Sequence, residues 1–208
     1  ERSCEDIFAL IRPIGIQAEA VMKQATNGVN THKGMIFSLG IFCCALGYLY
    51  GNDIPYTEAS FRDTCRQMTA HILDDFLETA KTHGERLYAR YGITGIRGEA
   101  ADGYPTVFET ALPVFRQYRN EGLSANDAGV LTLLHIIAGS VDTNIIARSD
   151  YETFRKVQAQ IQSMLNSGID TRDFIAEIRT LDQEFIKMNI SPGGSADMLA
   201  LTYFVASL

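Results

Sequence analysis

Four short stretches of this chain set small or glycine residues beside ionisable ones: 28–33, 97–102, 142–144 and 191–197. The first holds Asn30, His32 and Lys33 directly ahead of an apolar run. Asn30 and Thr31 are both good helix N-caps, and a helix N-terminus offers unpaired N–H groups and a partial positive charge. With His32 and Lys33 added, the stretch is a candidate seat for a phosphate. The second holds Arg97, Glu99 and Asp102 among Gly95, Gly98 and Gly103. The third is Asp142-Thr143-Asn144, and the fourth runs Ser191-Pro192-Gly193-Gly194-Ser195-Ala196-Asp197. Glycine beside a polar group lets backbone N–H groups come close to a phosphate. The carboxylates Glu99, Asp102, Asp142 and Asp197 suit either Mg²⁺ held between protein and phosphate or acid–base work at a reacting centre.

Each stretch also has a plainer reading. Asp142-Thr143-Asn144 can be an N-cap, 191–195 a turn and cap, and Arg97 with Glu99 an exposed pair that contributes little. Taken singly, the plainer reading leads. Taken together, four such stretches in an otherwise apolar helical chain exceed what turns require. In a helical bundle, junctions of this kind can converge on one pocket. Other groups weigh less. Asp74-Asp75 after His71 is the kind of acid pair that helical metal hydrolases use, but it sits among other acids, where a solvated face is the simpler account. His83 reads as a capping or surface residue, and His135, on an apolar face, as a satisfied core histidine. There is no nucleophile elbow, Walker loop or dinucleotide fingerprint.

The elements that must position these stretches are nearly all helical by apolar spacing. Residues 5–26 read as a helix with Pro13 as a kink or break, closed by an Asn27-Gly28 turn. A second helix over 31–50 has an apolar stripe at Ile36, Leu39, Gly40, Cys43, Leu46, Gly47 and Tyr50, buried along its length. A long third helix opens at 55–58, carries Phe61, Cys65, Met68, Ile72 and Phe76, and ends near Lys81. Thr82 to Glu85 matches a capping box for a helix over 82–91. Residues 92–105 lack a clean period, and loops of that length are often functional. Further helices are expected over 106–120, from a capping box at 124–127 to Gly139-Ser140, over 150–166, over 171–187 and over 198–208. Ser191-Pro192 suits the N-cap and first position of the last one. The best strand candidate, 93–96, is very short. The expected architecture is all-α: a single domain over 1–208, a bundle of eight to ten helices with a site at its helix junctions.

Composition narrows the function classes. The chain has 208 residues, 46% of them apolar, enough for one sizeable core. A formal net charge of −7 argues against a general nucleic-acid binder, though not against one small phosphorylated ligand. Cys4, Cys43, Cys44 and Cys65 form no CxxC pair and no zinc spacing. They read as small core residues of a reduced, cytoplasmic protein. The longest apolar run, 41–50, is too short to span a bilayer.

Residues 28–34 followed by Ile36-Phe37-Ser38-Leu39-Gly40 resemble the signature of the triphosphoribosyl-dephospho-coenzyme A synthase family. So do Gly95-Ile96-Arg97-Gly98-Glu99-Ala100 with Gly103-Tyr104-Pro105, Asp142-Thr143-Asn144 with Arg148, and 189–197. The resemblance covers nearly the whole chain, in order. It implies an all-α enzyme that joins ATP to 3′-dephospho-coenzyme A and releases adenine. The product is the precursor of the prosthetic group on the acyl-carrier subunit of citrate lyase, or of malonate decarboxylase in a sister branch. A separate transferase then loads the carrier protein. The family also has an N-terminal Pro-Lys-Pro-Gly-Leu-Val-Asp segment that this sequence lacks, so the chain is expected to be a fragment or processed product. Ser149-Asp150 stands where the family commonly has two glycines.

The implied reaction sets the roles. A ribose hydroxyl must attack C1′ of the ATP ribose as adenine departs, through an oxocarbenium-like state like that of glycoside hydrolysis. On this resemblance His32, Lys33 and the N–H groups of Gly193, Gly194 and Ser195 hold the triphosphate, with Arg97 assisting. Glu99, Asp142 and Asp197 are the candidates for catalytic base and Mg²⁺ ligands. Asn30 and Asn144 orient hydroxyls, and Ser191 belongs to the same substrate-binding set. The expected partners are small molecules, with no nucleic acid and no membrane; a homo-oligomer is compatible. Competing readings are a helical module that binds a nucleotide or coenzyme A without reacting, a metal-dependent phosphohydrolase using Asp74-Asp75, and a non-catalytic interaction bundle.

Overall fold

Helix starts in this chain are set by short polar side chains, and several fall where the sequence places them. The computed structural model describes residues 2–77, 82–169 and 174–208. Among these residues every regular element is helical, as expected. The α-helices are α1 (Cys4–Ala25), α2 (Lys33–Gly51), α3 (Glu58–Met68), α4 (His83–Tyr91), α5 (Gly95–Ala101), α6 (Leu112–Asn120), α7 (Ala125–Gly139), α8 (Thr143–Arg148), α9 (Tyr151–Ser167), α10 (Ile175–Lys187) and α11 (Gly193–Ala206). A 3₁₀ turn covers Asp74–Leu77 and a π-helical segment Thr106–Ala111. The chain divides into two compact units, Glu1–Pro105 and Thr106–Leu208.

In the first unit, α1 starts at a reciprocal cap. The Asp6 N–H donates to Ser3 Oγ at 3.1 Å, and the Ser3 N–H donates to the Asp6 carboxylate at 3.2 Å. The helix is not broken at Pro13. It gives up one intrahelical bond there and is held by packing against α2 and α3. It closes at Asn27 (φ 52°) and Gly28 (φ 86°), with the Gly28 N–H reaching the Lys23 carbonyl at 2.7 Å. That is the left-handed ending read from Asn27-Gly28.

Helix α2 corrects the expected stripe. Its buried residues are Ser38, Ile41, Phe42, Ala45 and Leu49. Cys43 and Gly47 are exposed, and Tyr50 is 89% exposed. The helix is apolar on all sides, so spacing alone does not choose the buried face. By length and mean hydropathy (1.6) it is long and apolar enough to cross a membrane, unlike the shorter run read from the sequence. In this structure it packs against α1 and α3. The Phe42 ring meets Phe61 edge-on at 4.9 Å and Tyr104 at 4.7 Å, and all three are fully buried.

Helix α3 ends at Met68, far short of Lys81. The Thr69 N–H that follows it bonds the carbonyls of Cys65 and Arg66, while the Thr69 hydroxyl donates to the carbonyls of Cys65 (2.8 Å) and Ala100 (3.0 Å). A tertiary bond to α5 thus overrides a local pattern that would have continued. Lys81 and Thr171, at expected helix ends, lie outside the described residues, as do the side chains of Asp75 and His83. Helix α4 follows the sequence reading, with the Glu85 N–H donating to Thr82 Oγ1 (3.2 Å) and Gly92 closing it at φ 68°. The unpatterned stretch contains α5, and residues 93–96 form no strand.

In the second unit, α7 is the central helix, with Ala128, Gly129, Leu131, Thr132, Leu134, Ile136 and Ile137 all buried. It packs against α6, α9, α11 and the π-helical segment. The single helix expected over 106–120 is two pieces. Pro113 sits in the first turn of α6 and has no N–H to give, and the residues before it take the wider π winding. Helix α11 starts at Gly193, with Pro192 rather than Ser191 at the N-cap.

Candidate functional site

The tightest polar junction lies in the second unit and is centred on Asp142. The side chain caps α8: its Oδ1 accepts from the N–H groups of Asn144 (2.9 Å) and Ile145 (3.2 Å). Its Oδ2 accepts from the Ser195 N–H and the Ser195 hydroxyl, both at 2.8 Å. One carboxylate therefore joins the starts of two helices, across 53 residues of sequence. Asp142 is 1% exposed and Ser195 2% exposed. A carboxylate has about four lone-pair sites, and here four donors occupy them.

The two glycines of the fourth stretch are explained by the same junction. A Cβ on Gly194 would lie 3.2 Å from Asp142 Oδ1 and 3.3 Å from its Cγ. A Cβ on Gly193 would lie 3.0 Å from Asn144 Nδ2. Both contacts are tighter than ordinary packing, so the glycines let α11 close on α8. The sequence reading gave that closeness to a phosphate; in the structure it is used by Asp142 and Asn144. The first intrahelical bond of α11 is from the Ala196 N–H to the Pro192 carbonyl. The N–H groups of Gly193 and Gly194 lie ahead of it, whereas the Ser195 N–H is already given to Asp142. The anion at this helix start is thus a side chain of the protein itself. Asn144, Ser191 and Asp197 are half-buried.

In the first unit, the stretch before α2 is exposed. The N-cap position is His32, but the capping bond comes from Asn30, whose Oδ1 accepts the Lys33 N–H at 3.1 Å. The His32 ring pairs through Nδ1 with Thr31 Oγ1 at 2.8 Å, and its backbone N–H meets Met22 Sδ at 3.1 Å. Lys33 Nζ forms an ion pair with Glu19 of α1 at 3.2 Å. Nothing in the spacing pointed to Glu19, which reaches Lys33 only because the chain reverses at Asn27 and Gly28.

The Arg97 and Glu99 side chains sit on α5, both half-buried, with Asp102 exposed at its end. The Arg97 guanidinium lies over the Phe76 ring at 5.0 Å. Gly98 has no room for a Cβ against the Thr94 side chain. Among the described residues, no three His, Cys, Asp or Glu side chains are grouped so as to hold a metal ion. Asp74 is exposed and pairs with His71 Nδ1 at 3.2 Å, the solvated arrangement the sequence favoured. His135 is half-buried with Nε2 at 3.2 Å from the Tyr118 hydroxyl, a satisfied histidine as expected. Burial lowers its pKa from 6.5. The cysteines are unpaired; Cys4 and Cys65 are core residues, but Cys43 is exposed.

Fold and junctions together define an all-α protein whose polar groups are gathered at helix starts and ends. The family described as ATP:dephospho-CoA triphosphoribosyl transferase matches residues 1–208, and the chain belongs to that family. It is 38% identical over 209 residues to a probable 2-(5''-triphosphoribosyl)-3'-dephosphocoenzyme-A synthase of Photobacterium profundum, covering 98% of this chain and 67% of that protein. It is 42% identical over 202 residues to a protein of the same description from Pectobacterium carotovorum subsp. carotovorum, covering 96% of this chain and 66% of that protein. The chain thus spans about two thirds of the length of these relatives. No solved structure matches it.

Proposed function

We propose that this chain carries out triphosphoribosyl transfer from ATP to 3′-dephospho-coenzyme A, with release of adenine. The observation that carries the reading is the family match along all of 1–208, which takes in all four polar stretches. The names of the two relatives agree with it. We take both units to belong to one catalytic domain.

The geometry supports dividing the carboxylates by role. Asp142 has its acceptor sites filled, so it positions Asn144 and Ser195 and takes no part as a base. Glu99 and Asp197 are half-buried and carry the base role: one takes the proton of the attacking ribose hydroxyl and faces the positive charge that builds at C1′. His32 and Lys33 bind phosphate, Lys33 by leaving Glu19 for a stronger anion, with Arg97 as a further cation. In the second unit the N–H groups of Gly193 and Gly194 serve as donors to phosphate, and Ser191 lies next to them in sequence. Asn144 and Asn30 orient hydroxyls; Asn30 keeps its amide N–H₂ for that purpose, because only its oxygen is used in the cap.

Mg²⁺ fits as a companion of the triphosphate. It is commonly held by one or two carboxylates with substrate phosphates, which the single carboxylates of Glu99 or Asp197 satisfy without a metal cage. It would neutralise phosphate charge. The product then serves a carrier-protein transferase acting on the acyl carrier protein of citrate lyase or of malonate decarboxylase. A cytoplasmic setting suits these substrates and the free cysteines.

The test is direct. The protein is incubated with ATP and dephospho-coenzyme A, and free adenine is measured. Adenine release supports the reading. Binding without adenine supports a non-reacting module, and inorganic phosphate with adenine retained supports a phosphohydrolase. Glu99→Gln and Asp197→Asn should each lower turnover by roughly 10²- to 10⁴-fold with the fold intact. Near-normal turnover in both would overturn the assignment of the base.

A further inference from the structure

Helix α5 carries Arg97 and Glu99 but has little to hold it by itself. It has seven residues and no side-chain N-cap bond, and helices this short are marginal alone. Its end is held from outside. Arg62 Nε–H donates to the Gly103 carbonyl at 3.0 Å, Arg66 Nε–H to the Asp102 carbonyl at 3.1 Å, and Thr69 Oγ1–H to the Ala100 carbonyl at 3.0 Å. Positions 62, 66 and 69 share one face of α3 and its first following turn. Carbonyls at a helix end have no intrahelical partner, and here three are met by one row of side chains.

The backbone at 103–104 is shaped for this row. Gly103 has φ +70°, and a Cβ there would lie 2.9 Å from Arg66 Nε and 3.1 Å from the Arg62 carbonyl oxygen. Any side chain would push the guanidinium away. Tyr104 also adopts a left-handed backbone, φ 56°, although it is neither glycine nor asparagine. It is fully buried, and its N–H closes on the carbonyl of Glu99 at 2.6 Å. Glu99 is thus tied through its own carbonyl to a residue whose backbone the α3 row fixes.

We infer that Arg62, Arg66 and Thr69 form a clamp that positions Glu99, and that they are positioning residues for the reaction proposed above, on which this inference rests. Arginine suits the task because Nε binds one carbonyl while the rest of the planar group can pack or pair. Arg66 Nη1 lies 3.6 Å from Asp63, on the same helix. The clamp acts through Glu99 and touches no reacting atom.

The experiment uses the full chain with Arg62→Met, Arg66→Met and Thr69→Val, alone and combined with Glu99→Gln. Adenine release is measured with saturating and limiting ATP, and amide hydrogen exchange is followed over 98–104. Loosening the clamp should lower kcat about 10- to 100-fold, as misplacing a catalytic group by ~1 Å does, with any rise in KM for ATP, through Arg97 on the same helix, smaller than the loss of kcat. Exchange over 98–104 should rise about tenfold while α1 stays protected. In the Glu99→Gln background the same substitutions should cost no further turnover, because both act on one group. Arg66→Lys, which keeps a donor near the Asp102 carbonyl, should recover part of the loss. Unchanged exchange over 98–104, or an equal loss of turnover with and without Glu99, overturns the clamp. If Glu99→Gln alone leaves turnover intact, the catalytic reading of Glu99 fails first. Exchange then still shows whether the α3 row holds α5, but its role in positioning a base falls with that reading.

Discussion

Replacing Asp142 with asparagine should destabilise the second unit by an amount the geometry fixes. The carboxylate accepts from two N–H groups at one oxygen and from an N–H and a hydroxyl at the other. Asparagine offers one acceptor oxygen and one N–H₂. If the oxygen stays toward Asn144 and Ile145, the N–H₂ faces the Ser195 N–H, donor against donor. If the amide flips, the conflict moves to Asn144 and Ile145. The Ser195 hydroxyl can rotate to accept, but backbone N–H groups cannot. At least one N–H is left unmet in a site 1% exposed; that costs about 1–3 kcal/mol, and weakening the remaining charge-assisted bonds adds about 1 kcal/mol. The sum, about 2–4 kcal/mol, corresponds to a drop in Tm of roughly 5–15 °C for a chain of this size. Thermal unfolding followed by circular dichroism measures it, with hydrogen exchange at Asn144, Ile145 and Ser195 showing where the loss falls. A loss below about 0.5 kcal/mol, the level of an ordinary surface change, would refute the view that Asp142 ties α8 to α11.

Two further outcomes follow from burial. Cys65 is fully buried and its thiol is pushed up to about 12 by desolvation; it should resist alkylation at about pH 8 in the folded protein while the exposed Cys43 reacts, as mass mapping after brief iodoacetamide treatment will show. Burial lowers the pKa of His135 below its ordinary 6.5, so the unfolded chain takes up this proton first as pH falls. Stability owed to this group is complete above about pH 6.5 and declines below it until the folded pKa is passed. His135→Gln should flatten that slope in urea titrations between about pH 7 and 5, and an unchanged slope would assign it to other groups.

Much of the fold was legible because local signals and packing agree. Ser124 caps α7 through its side chain, and Thr82 with Glu85 caps α4, as their types and spacing indicate. Where the reading missed, a longer-range term won. The pattern Phe61, Cys65, Met68, Ile72, Phe76 would carry α3 onward, yet the Thr69 hydroxyl bonds a carbonyl 31 residues away and the helix stops. In α2 the apolar residues surround the axis, so the buried face depends on the neighbours Phe61 and Tyr104 rather than on spacing. At Pro113 the sequence carried a visible warning, the missing N–H, which the amphipathic pattern of 106–120 concealed.

The candidate site was legible in its residue types but not in its pairings. The residue type of Asp142 suits an N-cap and also a catalytic base or Mg²⁺ ligand. The structure shows the first role directly, and the cap is what bears on the chemistry. By filling its acceptor sites with Asn144, Ile145 and Ser195, Asp142 fixes the backbone on which Asn144, Gly193 and Gly194 stand. A carboxylate so occupied gives up a hydrogen bond it already makes for every new partner it takes. Glu99 and Asp197 are half-buried on α5 and α11. That Asp142 builds the junction follows from its burial and its four donors, quantities that residue spacing does not contain. Gly193 and Gly194 belong to the same account: the property that suggested phosphate in the sequence, close approach of backbone, is spent on letting one helix start sit against the side chains of another.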